Sequence, residues 1–475
     1  MIVVFIIGYS AIALEHPIKI DKAASALIAG GLCWALFALG VYDIIGNDSA
    51  KLLEFLEIFK IEEPKKYLDW ITSNTWINDY EINSTLKNHF VGHELAHHLV
   101  DIAEILFFLL AAMTIVELID AHEGFSIITN KITTNNKIKL MWILAVIAFF
   151  FSAVLDNLTT AIVMSALLTK LIKDKEDIWM FAGIVILSAN AGGAWSPMGD
   201  VTTIMLWIGE QITFVEIIRE IFIPSVVCAV VPLIYLSFKM KGNISRPDNI
   251  QMKEHEINPT TSFERNLIFI LGVLSLLFVP VFKMVTHLPP FIGMLLSLGL
   301  LWLVTEIIHR SKNHEQKNQL SVIGVLKKVD VPTIFFFLGI LLAVASLQSA
   351  GHLDIVANYL NNTFNGDIYI INIIIGLLSS IVDNVPLVAG AMGMYDVSIM
   401  NETTGILDDF AQDGKFWHFL AYCAGTGGSV LIIGSAAGVA VMGILKIDFI
   451  WYLKNISILA LMGYLAGAAT YILIQ

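Results

Sequence analysis

Residues 140–169 read LMWILAVIAFFFSAVLDNLTTAIVMSALLT, an apolar run broken at its centre by Leu155-Asp156-Asn157. Lys131, Lys137 and Lys139 precede it, and Lys170, Lys173 and Lys175 follow it. Basic loops stay in the cytoplasm. Both ends of the run therefore lie inside, and the run is a re-entrant hairpin with Asp156-Asn157 at its tip. Residues 367–395 present the mirror case. Segments 351–366 and 396–414 hold no Lys or Arg, and 396–414 is acidic. This second hairpin starts and ends outside, and its tip is Val382-Asp383-Asn384. Backbone that turns at membrane depth is tolerated only where protein or a cavity surrounds it. Two tips entering from opposite faces point to a site between them.

The 475 residues are 57% hydrophobic and 15% charged, against roughly 25% charged in a soluble domain. Apolar runs fall at 1–15, 23–44, 100–120, 140–169, 178–208, 213–238, 266–286, 289–308, 332–350, 367–395, 415–445 and 449–473. The class is an all-α polytopic membrane protein, with ten spanning segments and two hairpins. The net charge of -13 resides mostly in loops and gives no basic surface for nucleic acid. Cys33, Cys228 and Cys423 sit in separate apolar runs, so they are small core residues and not a disulfide set. Segment 45–99 comes out external. Its piece KLLEFLEIFK has the pattern of a surface-lying amphipathic helix.

The two halves repeat. Ile105–Leu110 resembles Thr333–Leu338, Asp156-Asn157 matches Asp383-Asn384, and Gly192-Gly193 with Gly199 match Gly427-Gly428 with Gly434. Gly31 and Trp34 match Gly299 and Trp302. Loop charge gives corresponding segments opposite orientations, the pattern of an inverted-topology repeat in secondary transporters. The expected division is a first repeat over 1–238, a cytoplasmic linker over 239–265 and a second repeat over 266–475.

Carboxylates at membrane depth are costly and mark functional positions. Asp156 is expected to be the main carboxylate, with Asp383 and Asp200 close behind, and the two tips each carry an adjacent amide, Asn157 and Asn384. Thr159 and Thr160 add hydroxyls within a turn. The second break, Ser188–Thr203, interrupts an apolar helix with Gly192, Gly193, Pro197 and Gly199. It contains Asn190 and Ser196 and ends on Asp200, Thr202 and Thr203. Unwound carbonyls and such side chains supply the oxygens a hard cation prefers. The second-half counterpart, Gly425-Thr426-Gly427-Gly428-Ser429 to Gly434-Ser435, has no acid to match Asp200. Asp156, Asp383 and Asp200 also fit as helix caps. The glycine runs also fit as close helix packing. Glu117 lies near the cytoplasmic end of 100–120, where a functional and a snorkelling role are equally open.

His93-Glu94-Leu95-Ala96-His97 is an H-E-x-x-H, the pattern of a zinc protease. Its candidate third ligand, Glu117, follows His97 by 20 residues with no Gly or Pro after His98. On a continuous helix that is ~30 Å, too far for one ion. Catalytic zinc is therefore not expected. His93, His97 and His98 are placed at the outer water interface, and Asp101 and Glu104 at the same helix end.

Three stretches carry a family resemblance: Ala111–His122, Leu155–Thr160 and Asn190–Thr203, with Glu15-His16-Pro17 and Asp21-Lys22 beside them. The chain resembles the NhaD-type sodium/proton antiporters of the ion transporter superfamily over nearly its whole length. That resemblance implies a scaffold part and a transport part, a homodimer, and elevator-like alternating access in the cell (inner) membrane. It implies Na⁺ at Asp156, Asn157, Asn190, Asp200, Asp383 and Asn384, with Thr426 in the same site. The exchanged ions are Na⁺ and H⁺, with Li⁺ an open second cation and no cofactor. Dicarboxylate-transporting relatives have neutral tips. Here both tips are acidic and would repel a dianion. The alternatives are an anion or dicarboxylate symporter on the same scaffold, and an intramembrane zinc protease.

Overall fold

A computed structural model describes residues 1–45, 79–129, 131–247, 260–398 and 408–475, together with Glu57 and Lys60. Most of segment 45–99 and much of linker 239–265 lie outside the described residues. So do the amphipathic piece at 51–60, apart from Glu57 and Lys60, and part of 396–414. Among the described residues the structure is helical, with two isolated β-bridges and no strand. Nine helices among the described residues are long and apolar enough to cross a membrane: Lys22–Val41, His89–Ala121, Lys137–Leu155, Lys175–Ala194, Phe214–Lys239, Ser262–Thr286, Pro290–Ser311, Val331–Ser349 and Ser457–Ile474. A tenth would be the pair Ala436–Leu445 and Phe449–Asn455, bent by 118°. Their outward faces are apolar, as at Leu39, Phe238 and Val285. That is the surface a lipid solvent selects.

Three boundaries differ from the hydropathy pattern. The first apolar run forms Ile2–Ala13, 12 residues and so ~18 Å long, short of a full span. The helix expected from residue 100 begins at Asp79 and runs to Ala121. Its polar first half has backbone bonds satisfied within the helix, so it needs no apolar surroundings to continue. The last run breaks at Ile456, between Phe449–Asn455 and Ser457–Ile474.

The chain divides into two compact units. The first comprises residues 1–103, 332–363 and 389–395. Here Gly30 and Gly339 let two helices meet backbone to backbone, since a Cβ on Gly30 would stand 2.5 Å from the Gly339 oxygen. Trp34 Nε1 then donates to the Leu342 carbonyl at 2.8 Å. Phe37, Val41, Phe90, Val91 and Ala345 close around that indole.

The second unit comprises 104–331, 364–388 and 396–475. The helix Lys137–Leu155 ends at Asp156, and Asn157–Leu171 begins at once and packs back on it. Lys175–Ala194 and Val201–Ile208 are separated by an unwound stretch, as are Lys415–Gly427 and Ala436–Leu445. Glycines decide how these pieces approach. A Cβ on Gly192 would lie 2.1 Å from the Phe149 oxygen, and one on Gly427 would lie 2.0 Å from the Gly376 oxygen. One on Gly193 would meet the Gly199 oxygen at 2.4 Å, and one on Gly428 the Gly434 oxygen at 2.6 Å. Each contact in the first half thus has a counterpart 227 or 235 residues later. Around Lys415–Gly427, Tyr422 donates to the Tyr464 carbonyl at 2.7 Å and Tyr464 to the Ile373 carbonyl at 2.9 Å. These bonds bind three helices of the second unit together.

Outside the spans, Asp413 ties a loop to the start of Phe214–Lys239. Its Oδ1 accepts from the Thr213 N–H at 2.6 Å and faces His418 Nε2 at 3.3 Å. Burial pushes the Asp413 carboxyl up, but the bonds from His418 and Thr213 outweigh it and hold the group below the usual carboxylate range.

Two expectations follow from this packing. Gly192→Ala and Gly427→Ala each overpack a backbone contact and destabilise by ~1–3 kcal/mol, whereas Gly299→Ala, within the helix Pro290–Ile308 and with nothing within 4 Å, stabilises by up to ~1 kcal/mol. Thermal unfolding in detergent compares the three. A depressed folded-state carboxyl contributes stability above its ordinary value, ~3.9, and loses it as pH falls through the folded value. Asp413→Asn therefore lowers the melting temperature at neutral pH, and the deficit narrows in acid. A deficit that grows on acidification would refute the pairing.

Candidate functional site

Asp200 is the hub of a buried polar cluster in the second unit. It is 1% exposed and caps the half-helix Val201–Ile208 in extended backbone, φ -147° and ψ 149°. Its Oδ1 accepts from the Thr202 N–H and Thr202 Oγ1, both at 3.0 Å. Thr203 completes the cap by donating Oγ1 to the Asp200 carbonyl at 2.9 Å. Asn157 Nδ2 donates to Asp200 Oδ2 at 2.6 Å, and Asn384 Nδ2 reaches both carboxylate oxygens at 3.3 and 3.2 Å. An amide from each of the two Asp-Asn helix breaks thus meets the acid that caps Val201–Ile208. The charged neighbours that act on Asp200 are carboxylates, Asp383 and Asp156.

Asn190 extends the cluster. Its Oδ1 accepts from Asn157 Nδ2 at 3.1 Å, while its Nδ2 donates to Ser429 Oγ at 2.8 Å and Ser435 Oγ at 3.0 Å. Neither serine stood among the sequence candidates. One signal was available. At the glycine offset of 235 residues, Ser435 falls opposite Asp200. It caps Ala436–Leu445 with nearly the same backbone, φ -139° and ψ 150°. The two broken helices match in backbone and differ in charge.

Asp156 has a different place. Its φ of +88° with ψ 161° is a region nearly confined to glycine and costs on the order of 1–3 kcal/mol. The carboxylate holds that turn, accepting the Thr159 N–H at 2.7 Å and Thr159 Oγ1 at 2.9 Å. It is a helix cap, shared between Lys137–Leu155 and Asn157–Leu171. Asp383 is half-buried and accepts from the Val385 N–H at 3.4 Å. Thr160 Oγ1 is buried with no hydrogen-bond partner among the described residues. Ser196 Oγ donates to the Ala153 carbonyl, and Thr426 Oγ1 to the Tyr422 carbonyl at 2.6 Å. Glu117 stands elsewhere, 4.0 Å from Lys328 Nζ.

The family described as citrate transporter, CitMHS, matches residues 9–408. Sodium/proton antiporter 2 of Arabidopsis thaliana is 42% identical over 390 residues, covering 80% of this chain and 88% of that protein. The chain belongs to this transporter family. Within it, Sodium/proton antiporter 1 of Arabidopsis thaliana is 46% identical over 384 residues, 80% of this chain. The chain spans 64% of the length of that relative. The Na(+)/H(+) antiporter NhaD of Vibrio cholerae is 28% identical over 503 residues, covering the whole chain and 91% of that protein. Membership and the nine candidate spans make the chain a multi-pass membrane transporter.

In this transporter Asn190 joins both broken helices to the hub. Asn190→Ala strands the Ser429 and Ser435 hydroxyls and one Asn157 bond. A loss of ~1–3 kcal/mol in thermal unfolding is expected. Ser429→Ala costs less, because Ser435 still accepts from Asn190. Equal losses in the two variants would count against the bridging role of Asn190.

Proposed function

We propose that the chain is a secondary active antiporter that exports Na⁺ in exchange for H⁺. The observation that carries the reading is the meeting of Asp200 with Asn157 and Asn384. Relatives named as sodium/proton antiporters support it. Asp156 and Asp383 add their field to the buried Asp200 carboxylate, and three acids so placed favour a cation over an anionic substrate. Sodium takes oxygen from the Asp200 carboxylate. A half-turn of the Asn157 and Asn384 amides replaces their N–H groups by carbonyl oxygens. A proton neutralises the same carboxylate, and the amide donors lose their anion. Coupling is this competition for one buried charge.

The paired glycine contacts and the matched half-helices support the inverted repeat, and with it alternating access of an elevator type. The second unit, which holds the cluster, is the transport part. Li⁺ is a second cation of the same site, and the working form is a homodimer. Asp200 is the principal carboxylate. Asp156, which the sequence favoured for that role, shapes the tip and contributes its field. The family description favours one rival, a citrate-type symporter.

The test is dequenching of a pH dye in everted vesicles on adding Na⁺, then Li⁺, then K⁺. Asp200→Asn abolishes the Na⁺ response, and Asp156→Asn lowers it at least tenfold. Wild-type exchange in Asp200→Asn, or stimulation by citrate instead of Na⁺, would overturn the reading.

A further inference from the structure

The H-E-x-x-H stretch is not absorbed by the ion site, and its surroundings in the first unit have their own geometry. His97 and Asp101 stand one helical turn apart, with His97 Nδ1 3.6 Å from Asp101 Oδ2. His98 lies three residues before Asp101, so the carboxylate neighbours both imidazoles on one helix flank. One ring nitrogen of each histidine and one oxygen of Asp101 lie within 4.8 Å of one another. His93, the first histidine of the motif, is outside this cluster.

The His98 ring is held from behind. Its Nε2 meets Ser349 Oγ at 3.1 Å, and Ser349 donates to Glu94 Oε2 at 2.8 Å. Trp34 packs beside the ring at 6.4 Å between centroids. Metal-bound imidazoles are commonly oriented through such a second hydrogen bond, often ending on a carboxylate. Two ligands on a tetrahedral zinc, each ~2.0–2.1 Å from the ion, stand ~3.3 Å apart. The His97–Asp101 separation is already close to that. His97 and Asp101 are largely exposed and free to rotate the remaining distance.

We propose that His97, His98 and Asp101 bind a divalent transition-metal ion of the zinc class on the first-unit stretch of the helix Asp79–Ala121. The donor set is two imidazole nitrogens and one carboxylate oxygen, with a fourth position for water. Imidazole selects Zn²⁺, Co²⁺, Ni²⁺ and Cu²⁺ over Na⁺, Mg²⁺ and Ca²⁺, which prefer oxygen alone. The site is therefore chemically separate from the sodium cluster. Glu94, which a protease would use as general base, here orients a ligand through Ser349.

The full-length protein in detergent is titrated with Zn²⁺ by calorimetry and with Co²⁺ by visible absorption. One ion per chain is expected, with micromolar or tighter affinity and the absorption of tetrahedral Co²⁺. His97→Ala, His98→Ala and Asp101→Asn each weaken binding tenfold or more. Glu94→Gln weakens it by a smaller factor, and His93→Ala leaves it unchanged. All five substitutions lie on one stretch of that helix, and size-exclusion elution confirms folding of each. Absence of binding, millimolar binding only, or a loss in His93→Ala equal to that in His97→Ala would overturn the site. Unchanged binding in Asp101→Asn would do so as well.

Discussion

A single buried carboxylate, Asp200, organises the second unit. Taking such an anion out of water costs several kcal/mol unless donors replace its hydration. Among the described residues its partners are neutral: a backbone N–H, the Thr202 hydroxyl and the amides of Asn157 and Asn384. Neutral donors stabilise the anion without cancelling its charge. That leaves the site competent for a cation, where an arginine would have filled it. Three chain segments must be delivered to one point to achieve this. The unwound stretch before Val201 and the two tips are the consequences.

Close backbone approach is what delivers them. Gly192 against Phe149 and Gly427 against Gly376 set the depth of each broken helix, and no Cβ fits at either. The repetition of these contacts at nearly constant offsets gives the cluster its backbone symmetry. Side chains then break that symmetry. Asp200 and Ser435 occupy equivalent caps, and Asn190 reaches across to Ser435 and Ser429. An acid stands in one of the two equivalent cap positions and a neutral serine in the other.

The helical motif at His93–His97 shows how far local spacing can mislead. Spacing on a helix says which side chains share a face, and His93 with His97 does. It does not say which of them meet further donors. The grouping that forms is His97, His98 and Asp101, with His98 oriented by Ser349, a residue 251 positions away.

Much was legible in the chain itself. Hydropathy marks most of the spanning helices because a span needs ~20 apolar residues and lipid tolerates little else. Gly and Pro mark the unwound stretches, and Asp-Asn marks the tips, because polar groups at that depth are rare. Helix ends in polar segments were not legible. Asp79–Ala121 is longer than its apolar part, since backbone bonding continues without regard to hydropathy. The surroundings of the carboxylates were not legible either. Asp156 and Asp200 look alike in sequence, each an acid beside helix-capping threonines. Only the fold gives Asp156 a left-handed turn to hold and sets Asp200 between two amides 43 and 184 residues away. Sequence determines which residues belong at membrane depth through the cost of burial. Tertiary structure alone decides which of them share a hydrogen bond, because that depends on distances no linear pattern contains.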